Sequence, residues 1–184
     1  FTYRNMAMDA SVAGNDKRSL ELHRKALDIF EEVGFRTETA LCYNGFAESY
    51  RRLGELDLAE EYYKKAIELY ESVGDAEALF PQVNLGILHV LRQEWMAALH
   101  DLEVARQKAV RQHRTLLVPI IHTCLLPPSA ATGDWDGWDT HIAIGQTLIE
   151  HRICDPDAAR LAELGGQQAA LAGQRKRALA AYKL

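Results

Sequence analysis

The 184-residue sequence contains few of the features that mark secreted, membrane-spanning or disordered proteins. Its three cysteines, Cys42, Cys124 and Cys154, are odd in number and far apart, which indicates reduced thiols and not a disulfide framework. No stretch approaches 18 consecutive apolar residues, so no membrane span is expected. With only five prolines and no low-complexity segment, little disorder is expected. These absences predict an ordered cytoplasmic protein.

Positive charge is also scarce. The formal net charge of −5 and the pI near 5.8 argue against a nucleic-acid partner, because phosphate binding needs a positive surface. One basic cluster, "QRKR" at residues 174–177, is typical of a solvated helix face. The sequence starts at Phe1 and stops at Leu184 inside a helical pattern, so we expect it to be a piece of a larger protein.

A repeat of about 40 residues runs through the chain. Its turn positions, spaced by 40, 39, 40 and 40 residues, are Gly14, Gly54, Gln93, Gly133 and Gly173. The residues five positions later are Ser19, Ala59, Ala98, Trp138 and Ala178, and those nine positions later are His23, Tyr63, Leu102, Ile142 and Tyr182. Small residues recur where helix backbones approach closely, and large ones recur one turn away. Each repeat is therefore predicted to be a helix, a short turn and a second helix.

The repeat predicts an all-α fold, an α-solenoid of about five antiparallel helix pairs in a right-handed superhelix. The predicted helices span residues 2–12, 17–33, 37–53, 57–72, 76–92, 95–112, 115–131, 135–151, 156–172 and 175–184. The repeat units are approximately 1–36, 37–75, 76–114, 115–154 and 155–184, within one domain. A glycine at the turn is expected to adopt positive φ at the end of the first helix.

Two repeats resemble the tetratricopeptide repeat (TPR) family, whose pattern W-x2-L-G-x2-Y is followed by small, aromatic and Ala positions. The second repeat matches at Tyr43, Phe46, Ala47, Tyr50, Ala59, Tyr63 and Ala66, and the third at Leu85, Gly86, Ala98, Leu102 and Ala105. Over the rest of the chain the likeness is diffuse. The longer period and the "E-x-V-G" segments resemble arrays attached to large bacterial signalling proteins, such as serine/threonine kinases and ATPase-type regulators.

The fourth repeat departs from the family pattern. Trp138 occupies the position of close backbone approach, where the family has a small residue. Pro127 and Pro128 fall inside the predicted first helix, where proline removes a backbone hydrogen bond and clashes with the preceding turn. A kinked or displaced helix is expected there. Trp135 and Trp138 could form an aromatic binding platform, but inward packing is favoured.

The resemblance implies a non-enzymatic protein-interaction module that binds a peptide or helical segment of a protein partner on its inner surface. In this interpretation the chain is a regulatory region of a bacterial signalling protein. One alternative is an intramolecular lid or dimerisation element for a kinase or ATPase domain outside this chain. No kinase or nucleotide-binding motif occurs in the sequence.

Histidines and carboxylates give little support to a second alternative, a metal-binding or hydrolytic protein. His151 and Cys154 lie three residues apart and could supply half of a zinc site. His23 and His89 occupy aromatic positions of the family pattern, which favours packing roles. The acidic residues fall at helix starts and exposed faces, as the helix dipole favours. We therefore predict no catalytic residue, no metal and no cofactor.

The partner-binding groove follows from the family pattern. Its predicted residues are Asn44, Glu48, Arg51 and Arg52 in the second repeat and Val83, Asn84, Ile87 and Leu91 in the third. The three apolar members recur every four residues and predict an exposed stripe, unless neighbouring repeats cover it. Together with the two arginines, this stripe suits an amphipathic segment with an acidic flank. The family's clamp for an acidic C-terminus is disfavoured, because Arg4 and Met8 stand where it needs Lys and Asn.

The last predicted helix is short, and the end of the chain is expected to expose apolar side chains. Ala178, Leu179 and Tyr182 would form this surface. Self-association through this C-terminal end is therefore a further expectation.

Overall fold

A computed structural model describes residues 2–184 of the chain, and in this range it contains helices and turns but no strand. The α-helices are α1 (Thr2–Val12), α2 (Asp16–Val33), α3 (Arg36–Leu53), α4 (Leu56–Ser72), α5 (Leu79–Leu91), α6 (Trp95–Arg111), α7 (Leu117–Cys124), α8 (Leu126–Thr132), α9 (Trp135–Gly145), α10 (Thr147–Glu150), α11 (Pro156–Leu171) and α12 (Arg175–Ala181). A 3-10 turn at Ala76–Ala78 precedes α5. The predicted all-α solenoid of antiparallel helix pairs is confirmed.

The chain divides into two compact units, Phe1–Leu88 and His89–Leu184. Helices α1 to α4 and most of α5 belong to the first unit. The end of α5 and helices α6 to α12 belong to the second. Each unit contains helix pairs with the predicted helix–turn–helix pattern.

The turn inside each pair has left-handed backbone geometry at the predicted position. Gly54, with φ of 82°, donates its N–H to Arg51 O, and Glu55 donates its N–H to Tyr50 O at 3.0 Å. This is the hydrogen-bond pattern that ends a helix with its last carbonyl groups satisfied. Gln93 adopts the same conformation in the third repeat, with φ of 60°, although it carries a side chain.

The alanine positions of the second repeat lie at the contact between helices. Ala59, Ala66 and Tyr63 on α4 are each 0% exposed. Ala59 and Tyr63 pack in one cluster with Ala47 on α3 and Leu85 on α5. Small side chains let the helix backbones approach, and Tyr63 fills the space one turn away.

A histidine takes an aromatic position in the same unit. His23 on α2 is 3% exposed, and its ring lies 5.8 Å from that of Phe46 on α3. Gly45 makes this packing possible, because a Cβ atom there would lie 2.2 Å from His23 Nε2. His23 therefore has the packing role that the sequence predicted.

The first helix of the fourth repeat breaks where kinking was expected. Helix α7 ends at Cys124 and α8 begins at Leu126, so Pro127 and Pro128 occupy the first turn of a new helix. Proline is tolerated in a first turn because its missing N–H would have no intrahelical partner. The second helix of this repeat is also divided, at Gln146 between α9 and α10.

Trp138 packs in the core of the second unit against a glycine, whereas the corresponding contact in the first unit pairs a small residue with a large one. It is 0% exposed on α9, and its ring contacts the space above Gly165 on α11, where an added Cβ would lie 3.2 Å away. In the first unit the corresponding positions carry Ala59 and Leu85, which share one cluster. The large residue has moved to the other helix, so the contact keeps a similar volume.

The predicted apolar surface at the C-terminal end is only partly correct. Leu179 is 58% exposed and Tyr182 is 51% exposed, as expected. Ala178 is 4% exposed, because it packs in the cluster that contains Trp138.

Gln93→Gly is expected to stabilise the chain, because a left-handed conformation costs roughly 1 kcal/mol more with a side chain than in glycine. The reverse change at the matching turn, Gly54→Gln, should destabilise by a similar amount. Urea denaturation followed by circular dichroism measures both. A loss of stability in Gln93→Gly would contradict this account of the turn.

Trp138→Ala and Gly165→Leu should each destabilise the second unit, the first by about 3–5 kcal/mol through a cavity and the second through a clash. Their combination places alanine and leucine as in the first unit and removes the Trp138 contact, while Leu126 still stands where the first unit has Ala47. The double variant should therefore be clearly more stable than the sum of the single losses predicts. Additive losses in urea denaturation would show that the two positions do not exchange volume.

Candidate partner-binding face

Helix α3 brings the second-repeat residues of the predicted groove onto one face. Asn44, Glu48 and Arg51 lie within a narrow arc of the helix, because they are separated by four and three residues. Helices α1 and α2 add Ser11 and Asp16 beside them. We refer to this surface of the first unit as the inner face.

Glu48 is the centre of a hydrogen-bonded network on the inner face. Its carboxylate accepts from Tyr63 Oη at 3.0 Å and lies 2.9 Å from Arg51 Nη2 and 3.5 Å from Arg52 Nη1. Burial and the nearby carboxylate raise the pKa of Tyr63, so the phenol stays a donor. Three side chains from two helices therefore hold Glu48 in one orientation.

Arg52 links three helices. Its Nε donates to Asp16 Oδ1 on α2 at 2.7 Å, and its Nη2 donates to Ser11 on α1. Only 10% of the Asp16 side chain is exposed, against 33% of the Arg52 side chain. Glu48 and Asp16 therefore already pair with Arg51 and Arg52, which disfavours the predicted partner with an acidic flank.

The amide oxygen of Asn44 is buried and accepts no hydrogen bond within the described residues. It lies one turn before Glu48 on the inner face, while nearer the start of α3 Arg4 Nε lies 3.6 Å from Glu38. An unpaired buried acceptor is unfavourable, so the half-buried Asn44 would gain a hydrogen bond if its amide turned towards a donor of a partner.

The third-repeat residues do not form the exposed stripe that the sequence predicted. Val83 is 4% exposed and Ile87 is 3% exposed, so neither offers its side chain to a partner. Asn84 is half-buried. Leu91, also half-buried, belongs to the second unit and lines a cleft of about 280 Å³ with Val90 and Leu164. The apolar residues at these positions are buried because solvent exposure would cost free energy.

Sequence reasoning missed Asp16 and Ser11 as members of the inner face. Asp16 directly precedes the predicted helix 17–33, a place where acidic residues are common for local reasons. Its partner Arg52 lies 36 residues later in the chain, and no local pattern joins them. The repeat pattern contains one signal for this pair, because Asp16 stands two positions after the turn at Gly14 and Arg52 stands two positions before the turn at Gly54.

The histidines take part in packing and hydrogen bonds within each unit. His122 on α7 and His141 on α9 place their Nδ1 atoms 2.9 Å apart. His89 Nδ1 lies 2.9 Å from Asp101 Oδ2. Within residues 2–184, no group of three or more metal-ligating side chains is found, and no helix is both long and apolar enough to cross a membrane.

Two buried histidines remain neutral in mildly acidic solution. Burial, followed by the charges of Arg4 and Arg52, lowers the pKa of His23 to about 4. Burial, His141 and Arg106 lower the pKa of His122 to about 4. The negative charge of Glu103 opposes this shift, because it raises the pKa of both His122 and His141.

Comparison with known proteins agrees with the geometry of the helix pairs. Residues 1–72 match the sequence profile of the tetratricopeptide repeat. Over these residues the chain carries the tetratricopeptide-repeat pattern. A comparison of the chain with curated proteins gives no significant match.

Solved structures with the same fold cover nearly the whole chain. Aspartyl phosphate phosphatase F from Bacillus subtilis superposes with a TM-score of 0.78 at 13% identity, over 98% of this chain and 57% of that one. A Rap protein complexed with competence and sporulation factor gives 0.71 at 17% identity, over 98% and 49%. YrrB, a TPR protein with an unusual peptide-binding site, gives 0.57 at 20% identity, over 97% and 80%. The chain thus spans about half the length of the first two proteins, and the likeness is one of fold.

Unfolding free energy should fall as the pH is lowered from about 6.5 to about 4. The pKa values of His23 and His122 are about 4 in the folded chain, below the ordinary histidine pKa of about 6.5, so the unfolded chain binds more protons in this window. Each histidine contributes on the order of 3 kcal/mol. Urea denaturation at several pH values measures the slope.

The variant His23→Gln/His122→Gln should show a shallower pH dependence in this window, whatever its stability at neutral pH. The exposed His113→Gln is the matched control and should keep the original slope. An unchanged slope in the double variant would show that other groups cause the acid sensitivity.

Proposed function

We propose that the chain is a non-enzymatic protein-interaction module whose inner face binds an extended or helical segment of a protein partner. The observation that carries this proposal is the hydrogen-bonded arrangement of Glu48 and Arg52 on the inner face, beside the unpaired amide oxygen of Asn44. A polypeptide segment supplies N–H donors that such an acceptor needs. The proposal includes no catalytic residue, metal or cofactor.

The rigidity of the inner face supports this role. Glu48 is fixed by Tyr63 and Arg51, and Arg52 is fixed by Asp16 and Ser11. Side chains that are already ordered lose little entropy when a partner binds, which favours affinity. Because these charges are already paired, we expect recognition through hydrogen bonds and shape more than through net charge.

The comparisons are compatible with this function without assigning it. YrrB is described as having a peptide-binding site, and the Rap protein was solved in complex with a factor, but both likenesses extend only to the fold. We infer that the chain works as a cytoplasmic regulatory region of a bacterial signalling protein. In the rival proposal, the inner face contacts a catalytic domain of the same protein or a second copy.

A selection from a random peptide library displayed on phage tests the inner face with purified chain. Selected peptides are synthesised, and their dissociation constants are measured by fluorescence anisotropy. Asn44→Ala should weaken binding roughly fivefold, as expected for the loss of one hydrogen bond. Gln112→Ala removes an exposed amide in the second unit and should leave the affinity unchanged.

Binding that is equally strong in wild type and in Asn44→Ala, with both proteins folded by circular dichroism, would rule out the role given to Asn44. Failure to select any peptide, together with a concentration-dependent dimer in light scattering, would favour the rival proposal. Dimerisation that Asn44→Ala abolishes would assign the inner face to a second copy.

A further inference from the structure

A cleft of the first unit lies on a different side of α3 from the inner face. Its volume is about 500 Å³, and the residues that line it are Phe30, Glu31, Gly34, Arg36, Thr39, Tyr43, Lys65, Glu68, Leu69 and Ser72. They come from the end of α2, the start of α3 and the second half of α4. Tyr43 and Thr39 are at least roughly 100° around α3 from Asn44, because successive helical residues are about 100° apart. We call this the outer cleft.

Aromatic and apolar groups line part of the outer cleft. Phe30 is 3% exposed and stacks on the half-exposed Phe35, with ring centroids 6.4 Å apart. The half-buried Tyr43 lies on α3, and Leu69 faces the cleft from α4. Aromatic rings attract cations through the negative charge of their faces.

Two carboxylates from different helices stand at this cleft. Glu31 on α2 accepts a hydrogen bond from Tyr43 Oη at 3.0 Å, which orients it and leaves its second oxygen available. Glu68 on α4 is exposed and has no ion-pair partner among residues 2–184. A carboxylate acceptor is therefore present on both α2 and α4, the two helices that border the cleft beside α3.

The two basic residues of the cleft do not cancel this acidity. Lys65 Nζ lies 2.6 Å from Glu61 Oε1, outside the cleft lining, and 4.9 Å from the centre of the Tyr62 ring. Arg36 Nη2 donates to Ser72 Oγ at 2.8 Å. Once the Lys65 and Glu61 charges are matched, two carboxylates face one guanidinium, so the cleft has a net negative charge.

We propose that the outer cleft binds an arginine side chain of a partner protein, as a second contact independent of the inner face. A guanidinium group is flat enough to stack on an aromatic ring and has several donors arranged in a fork for carboxylates. Glu31 and Glu68 accept these donors from two sides, and Tyr43 provides the ring. Lysine has the charge but neither the planar group nor the fork.

Titration with N-acetyl-arginine amide, followed by two-dimensional NMR of isotope-labelled chain, tests the outer cleft. Resonances of Phe30, Tyr43 and Leu69 should shift in a saturable manner. The variant Glu31→Gln/Glu68→Gln should bind about tenfold more weakly, because charge-assisted hydrogen bonds are lost. Glu21→Gln/Glu32→Gln makes the same change in net charge at exposed positions of α2 and should bind as the wild type does.

Two further ligands define which property the cleft recognises. N-acetyl-norleucine amide lacks the charge and should cause no saturable shift, whereas N-acetyl-lysine amide should bind several times more weakly than the arginine compound. Equal binding of lysine and arginine, or equal weakening by both double variants, would overturn the proposal. Shifts of the Asn44 and Glu48 resonances without shifts in the cleft would also overturn it and leave the inner-face proposal intact.

Discussion

Close approach of helix backbones at alanine and glycine positions is the constraint on which the rest of this structure depends. In the second repeat, Ala59 and Ala66 are fully buried between helices, and the ring of Tyr63 fills the space between these two alanines. With the helices this close, α3 cannot rotate without steric overlap. The directions of Asn44 and Glu48 are therefore set by packing on the opposite side of the same helix.

Packing and electrostatics meet at Tyr63. Its ring is part of the core, while its hydroxyl donates to Glu48 at the inner face. Glu48 in turn orients Arg51 and contacts Arg52, which is anchored to Asp16. The core thus determines the arrangement of the polar surface through a short series of hydrogen bonds, and this surface is ordered before any partner arrives.

The fourth repeat shows how the same fold accepts residues that do not fit the repeat pattern. A tryptophan in place of a small residue needs space, and Gly165 on the facing helix supplies it. A proline pair inside a helix would break hydrogen bonds, and the division of that helix at Leu125 places the pair where no bond is lost. Both substitutions are compensated locally, so the helix pairs on either side keep their packing.

Most helices, the turns and the repeat period could be predicted from the sequence, because these features depend on residues within a few turns of one another. The spacing of Gly14, Gly54, Gly133 and Gly173 located the turns, and Pro127 and Pro128 indicated the helix break.

Which surfaces are exposed and which charges are paired depends on the packing of helices that are distant in the sequence. Val83 and Ile87 have a pattern suited to an exposed stripe, yet both are buried. Arg52 reaches Asp16, and His122 reaches His141, across 36 and 19 residues respectively. Periodicity gives the face of a helix on which a side chain lies, but the neighbour on that face is fixed only when distant helices pack together.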